Sequence, residues 1–210
     1  MTVALQHGDA FVAVDLQYDF MPGGSLAVAG GFEILPLINE VGGRFQNVVL
    51  TQDWHPPGHS SFASSYEGTQ PFEVMTMPYG PQILWPDHCV WNTRGAQIAE
   101  ELDLPQAQLI IRKGYRQTVD SYSGFQEADR ATKTGLEGYL RERGIRRLFI
   151  AGLATDFCVH WTAADGRAAG FEVFVIEDLC RAIDTQGSLA QAWADMSAAG
   201  VTRIQSSEIG

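Results

Sequence analysis

RRLFIAGLATDFCVHWTAADGRAAGFEVFVIED (146–178) reads as a strand, a turn, a helix and a second strand. Its outer parts, RRLFIAGL (146–153) and FEVFVIED (171–178), have continuous apolar runs with no alternation. Such runs belong to strands covered on both faces, as in a parallel sheet. The stretch 158–169 between them is helix-like, and Gly170 follows it where a left-handed residue commonly ends a helix. A strand, helix and strand in this order imply a right-handed crossover and a sheet covered by helices.

The same pattern extends outward. AFVAVDL (10–16), NVVLTQD (47–53) and QLIIRKG (108–114) read as three more buried strands, and the shorter VTRIQS (201–206) as an edge strand. Helix-like stretches fall at 32–43, 94–101, 135–143 and 187–199, the last followed by Gly200. With 210 residues the chain can bury one sizeable core, and no repeat or linker divides it. The expected fold is therefore a single α/β domain over 1–210. It has three layers, α/β/α, around a mainly parallel six-stranded sheet of order 3-2-1-4-5-6. Residues 54–93 break the pattern: they are rich in Pro, Gly and Trp, show neither helical nor strand periodicity, and hold His55, His59 and His88. A long irregular excursion within a compact domain is uncommon and often functional.

Bulk properties exclude several functions. A net charge of −11 disfavours a nucleic-acid backbone or an anionic membrane as partner. The densest basic cluster, Arg141, Arg143, Arg146 and Arg147, surrounds a helix end, where it complements the helix dipole. Three widely spaced cysteines do not make a secreted disulfide framework. The first residues do not read as a signal peptide, and no apolar run approaches the ~20 residues that span a bilayer. The expected compartment is the cytoplasm, and a homo-oligomer is compatible with the composition.

Ligands of open α/β sheets bind at the carboxyl ends of the strands. The polar residues there are Asp15 on the first strand, Asp53 on the second, Lys113 on the third, and Cys158 beyond the fourth. Most free cysteines are small buried apolar residues. A thiol opening a helix, however, feels a dipole that favours thiolate, and an ammonium nearby strengthens the effect. Asp15 then serves as general base and returns the proton to a leaving amine. Lys113 and Arg112 alternate at the end of LIIRK, so one of the two is expected to point inward. Cys89 competes as nucleophile but lies in the irregular loop beside His88 without a helix start, and Cys180 has no obvious base and reads as a packing residue. Asp53, His55 and His88 suit a divalent ion such as zinc, iron or manganese, with His59 as a fourth ligand or nearby contact.

VDLQYDF with PGGSLAV (14–28), TQDWHPPGHSSF (51–62), WPDHCV (85–90), RKG (112–114) and GLATDFCVHWTAADGRAAGF (152–171) occur in this order across nearly the whole chain. Together they resemble the nicotinamidase (pyrazinamidase) branch of the isochorismatase-like cysteine hydrolases. The resemblance implies a catalytic triad of Asp15, Lys113 and Cys158, with Asp53, His55 and His88 holding a metal, zinc above all. It implies that Phe20 and Trp85 sandwich a pyridine ring. A cis peptide at Leu153–Ala154 and an oxyanion hole from the backbone N–H groups of Ala154 and Cys158 also follow from it. The implied reaction converts nicotinamide and water to nicotinate and ammonia through a thioester, in NAD salvage. Rival readings are a hydrolase of another small amide or carbamoyl compound, and a metal- or ligand-binding module with a structural thiol. The segment 67–84 and Phe157 vary in ways that bear on the pocket wall.

Overall fold

The computed structural model describes residues 2–210. Six strands form one sheet: β1 (Asp9–Val14), β2 (Asn47–Asp53), β5 (Leu109–Lys113), β6 (Arg147–Leu153), β7 (Glu172–Arg181) and β8 (Thr202–Ile204). Their spatial order is β5-β2-β1-β6-β7-β8, and every pairing is parallel. Counted within this sheet alone, that is the order 3-2-1-4-5-6. β1 is buried along its whole length, while the edge strand β5 alternates and leaves Ile110 exposed. A central strand is covered on both faces, and an edge strand is not.

The two faces carry different side chains. Phe11, Phe149 and Phe174 stand in register on adjacent strands, and Phe149 stacks on Phe174 with ring centres 4.7 Å apart. Helix α1 (Leu35–Gly42) covers this face: a Cβ added at Gly42 would lie 3.1 Å from the Phe11 ring. Ala10, Leu148 and Val173 occupy the next register positions and face the other way. Against them packs α3 (His160–Ala168), where a Cβ added at Gly166 would lie 3.2 Å from both Leu148 and Val173. Right-handed crossovers require this division, because the chain moves one way from β1 to β5 and the other way from β6 to β8. Helices α2 (Leu136–Glu142) and α4 (Ser188–Ala198) complete the set. Gly170 and Gly200 end α3 and α4 at φ 89° and 82°.

Two sequence expectations fail between β2 and β5. Residues 94–101 form no helix. Their backbone instead pairs with the loop after β1: Tyr18 N–H donates to Gln97 O, Asp19 N–H to Gly95 O, and Ala99 N–H to Leu16 O. Peptide groups spent in this way are unavailable for a helical ladder. The region 54–93 also contains a strand pair, β3 (Val74–Met77) and β4 (Gly80–Ile83), joined as an antiparallel hairpin. Its proline and glycine hide the strand signal. The basic cluster is likewise not only a dipole complement, because Arg147 belongs to β6 and forms a bidentate pair with the buried Asp9 at 2.6 Å. No helix among the described residues is long and apolar enough to cross a membrane.

Gly152 governs how closely β6 approaches β1. At φ 125° an added Cβ would lie 2.2 Å from the Val14 carbonyl oxygen. Gly152→Ala is therefore expected to cost about 3 kcal/mol of stability, seen as a lowered urea midpoint. A midpoint equal to wild type would show that the two strands can separate without penalty.

Candidate active site

The chain reverses its direction of travel between β1 and β6, and the polar strand ends gather at the carboxyl edge around that point. β1 stops at Val14, so Asp15 is the first residue beyond it and adopts φ 49°. Asp53 and Lys113 end β2 and β5 in direct register. Cys158 lies in a single π-helical turn, Thr155–Val159, that leads from β6 into α3. The peptide bond Leu153–Ala154 is cis.

These side chains meet at the Lys113 ammonium, which is fully buried. Its Nζ lies 2.8 Å from Asp15 Oδ2, donates to the Ser121 carbonyl at 3.0 Å, and lies 3.3 Å from Cys158 Sγ. It also donates to Asp53 Oδ1. Asp15 Oδ1 accepts the Thr51 hydroxyl at 2.6 Å, whereas Oδ2 has no donor aligned to it. Ligand-type atoms of Asp15, Asp53 and Cys158 all lie within 4.8 Å of one another. Arg112 points away and lies over the Trp54 ring.

At Cys158 burial outweighs the pull of the lysine. Burial pushes its thiol well above the ordinary range; Lys113 pulls it down, and the Asp15 and Asp53 carboxylates push it up again. The turn containing it also spends N–H groups internally, since those of Phe157 and Val159 donate to Ala154 O. Burial raises Asp15 as well, against the pull of Lys113 and with the push of Asp53. Burial acts to raise Asp53 too, but Lys113 and His55 outweigh it and hold that carboxyl below the usual range. Burial tends to neutralise Lys113, yet Asp15 and Asp53 keep it charged. The thiol therefore keeps its proton until a base takes it, and Asp15 Oδ2 is an acceptor within reach.

Asp53 uses its other oxygen on a second cluster. Oδ2 lies 3.7 Å from His55 Nε2 and 3.9 Å from His88 Nε2. Each ring turns its Nδ1 to a carbonyl at 2.8 Å, His55 to Gly114 O and His88 to Pro86 O. Donation at Nδ1 leaves each Nε2 as a lone pair aimed at the same point, the arrangement that metal-binding histidines use. One carboxylate and two imidazoles fit a divalent ion such as zinc. Charge argues the same way, because Asp15 and Asp53 share one buried ammonium while buried Asp120 lies beside His55 and His59. His59 stacks on His55 with ring centres 4.3 Å apart. Its Nδ1 meets the Ser61 hydroxyl at 2.7 Å, and its Nε2 faces Arg116 O and Val119 O at 3.0 and 3.1 Å. Both its ring nitrogens are thus occupied by protein. His59 packs beside the cluster, and ligand-type atoms of His55, His59 and Asp120 also lie within 4.8 Å of one another.

Between the thiol and the Asp53–His88 side lies a narrow slot bordered by Phe20, Trp85, Tyr122 and Phe157. Asp53, His88 and Cys158 reach it between the rings. Cys89 and Cys180 are buried and free, and Cys180 points its thiol at Ile176 O.

The isochorismatase domain matches residues 9–208. The chain belongs to that family. A nicotinamidase from Acinetobacter baylyi is 57% identical over 95% of this chain and 94% of its own. The structure of L. infantum PnC1 in complex with nicotinate is 39% identical, with TM-score 0.88, covering 100% of this chain and 99% of that one. The pyrazinamidase of Pyrococcus horikoshii in complex with zinc is 36% identical, with TM-score 0.78, covering 94% and 99%.

Several residues of this family member's site escaped the sequence reading. Thr51 both accepts from Asp15 N–H and donates to its carboxylate. Gln17 clamps Asp53 by accepting its N–H at 2.7 Å and donating to its carbonyl at 2.8 Å. Period-two alternation along β2 was a usable signal for Thr51, which shares a face with Asp53. Nothing local marked Asp120 or Tyr122, which reach the slot from an irregular segment after β5. Thr51→Val removes the hydroxyl at nearly constant shape and strands a buried carboxylate oxygen. It is expected to cost about 1–3 kcal/mol, measured by chemical denaturation. A cost near zero would show that Asp15 needs no such partner.

Proposed function

We propose that this chain hydrolyses nicotinamide to nicotinate and ammonia through a thioester on Cys158, and so returns the pyridine ring to NAD salvage. One observation carries the reading: a buried thiol, an acceptor carboxylate and an ammonium stand at one end of an aromatic slot, with an Asp–His–His cluster on its far side. The named activity of the A. baylyi relative and the nicotinate held by the L. infantum relative support the same substrate.

In this reading Asp15, Lys113 and Cys158 do the chemistry. Asp15 Oδ2 takes the Cys158 proton, and the sulfur attacks the carboxamide carbon. The backbone N–H groups of Ala154 and Cys158 receive the resulting oxyanion, a contribution that can reach about 3–4 kcal/mol. Asp15 then protonates the amide nitrogen, the C–N bond breaks, and ammonia leaves a thioester. Asp15 next takes a proton from water as the water attacks the thioester. Release of the acid restores the thiol with that proton. Lys113 keeps its charge throughout and holds Asp15 against the sulfur. Phe20 and Trp85 hold the ring, and their apolar faces keep bulk water from the thioester.

Asp53, His55 and His88 would hold one divalent ion, and the zinc of the P. horikoshii relative supports zinc. When bound, such an ion supplies a Lewis-acidic anchor for the ring nitrogen and for water. The same reading places the enzyme in the cytoplasm, where its three buried cysteines stay reduced.

Two measurements test this. Cys158→Ala should lower ammonia release from nicotinamide by at least about 10⁴-fold; undiminished release would remove the thiol from the mechanism. His88→Ala should lose most of its bound metal by elemental analysis of the purified, folded protein. Full metal content in that variant would exclude His88 as a ligand.

A further inference from the structure

Three aromatic side chains close one side of the slot. Trp85 meets Phe157 edge-on, with ring centres 4.8 Å apart and planes at 90°. Tyr122 lies 5.7 Å from Phe157 and 6.3 Å from Trp85. Hydrogen bonds tether two of the three. The Tyr122 hydroxyl accepts the Trp85 indole N–H at 2.9 Å and the Gln82 amide at 3.2 Å. Gln82 in turn donates to Asp120 at 2.7 Å. Phe157 has no polar atom and stays in place by packing alone.

Behind this wall is a second, larger space. A groove of about 330 Å³ shares Phe157 and Tyr122 with the slot. Val74, Ile83, Trp161 and Ala192 also line it, with Asp156, His160 and Asp195 among its polar residues. Phe157 and Tyr122 border both spaces, so one layer of side chains separates the slot from the larger groove.

We infer that Phe157, backed by the tethered Tyr122, limits the substrate to a single aromatic ring. Removing the Phe157 ring joins the slot to the groove and admits aromatic carboxamides with a fused second ring. The inference rests on the amide-hydrolase reading for its substrate class. Its geometry does not depend on that reading. Phe157 and Cys158 line the same slot. A second fused ring needs more room than the slot holds, and Phe157 and Tyr122 are the side chains the slot shares with the groove. An apolar wall rejects an oversized ligand by overlap, and shortening one side chain relieves it.

The test compares nicotinamide with quinoline-3-carboxamide in wild type, Phe157→Ala and Phe157→Leu. Wild type should favour nicotinamide in kcat/KM by at least about 100-fold. The bicyclic-to-monocyclic ratio should rise at least about tenfold in Phe157→Ala and by less in Phe157→Leu. Using the ratio removes any general loss of activity caused by disturbing Trp85. Calorimetric binding of quinoline-3-carboxylate and nicotinate to the same proteins gives a readout that needs no turnover. If wild type leaves nicotinamide intact, the amidase reading fails, and the binding ratio still judges the wall. Equal acceptance of both ligands by wild type overturns the inference. A ratio unchanged in the folded variants does so as well.

Discussion

A single ammonium, that of Lys113, is buried between two carboxylates, a carbonyl and a thiol, and the site is built around it. Removing one partner from a buried ion pair typically costs about 3–5 kcal/mol, because the other charge is left without compensation. The strand ends that bear these groups are consequently held in one register. Asp53 sits opposite Lys113 across the β2–β5 pairing, and Asp15 is drawn in from β1 beyond the last residue of its strand. A sheet that slipped by one residue would turn Lys113 to the outer side, where Arg112 now lies over Trp54.

The same arrangement links the thiol to the metal-type cluster. Asp53 gives one oxygen to Lys113 and turns the other to His55 and His88. The lysine thus orients a carboxylate for both halves of the site. Neither half is strongly exposed, so local charges act in a medium with little water to screen them. Burial raises both Asp15 and Cys158, in each case against the pull of Lys113. Family membership and the likeness to nicotinamidases supply the substrate for which this geometry has a use.

Much of this was legible in the chain. Continuous apolar runs marked the buried strands, and their carboxyl ends pointed to Asp15, Asp53, Lys113 and the vicinity of Cys158. The misreading of residues 94–101 has a physical cause, competition from partners distant in sequence. These residues have helical periodicity, yet their peptide groups bond to the loop after β1. The thiol of Cys158 stands near a lysine, and its burial beside two carboxylates outweighs that pull.

By itself the sequence determined the layering, the parallel sheet and the set of groups able to do the chemistry, because burial period and strand-end position are local properties of the chain. The tertiary structure alone decided how those groups share charge, since a pKa depends on everything within a few ångströms. It also decided which residues hold them, Thr51 for Asp15 and Gln17 for Asp53. The shape of the slot was likewise settled only there, where Tyr122 from beyond β5 and Phe157 from beyond β6 meet Trp85. A wall built from separate segments has no period or spacing of its own, so packing brings it into being.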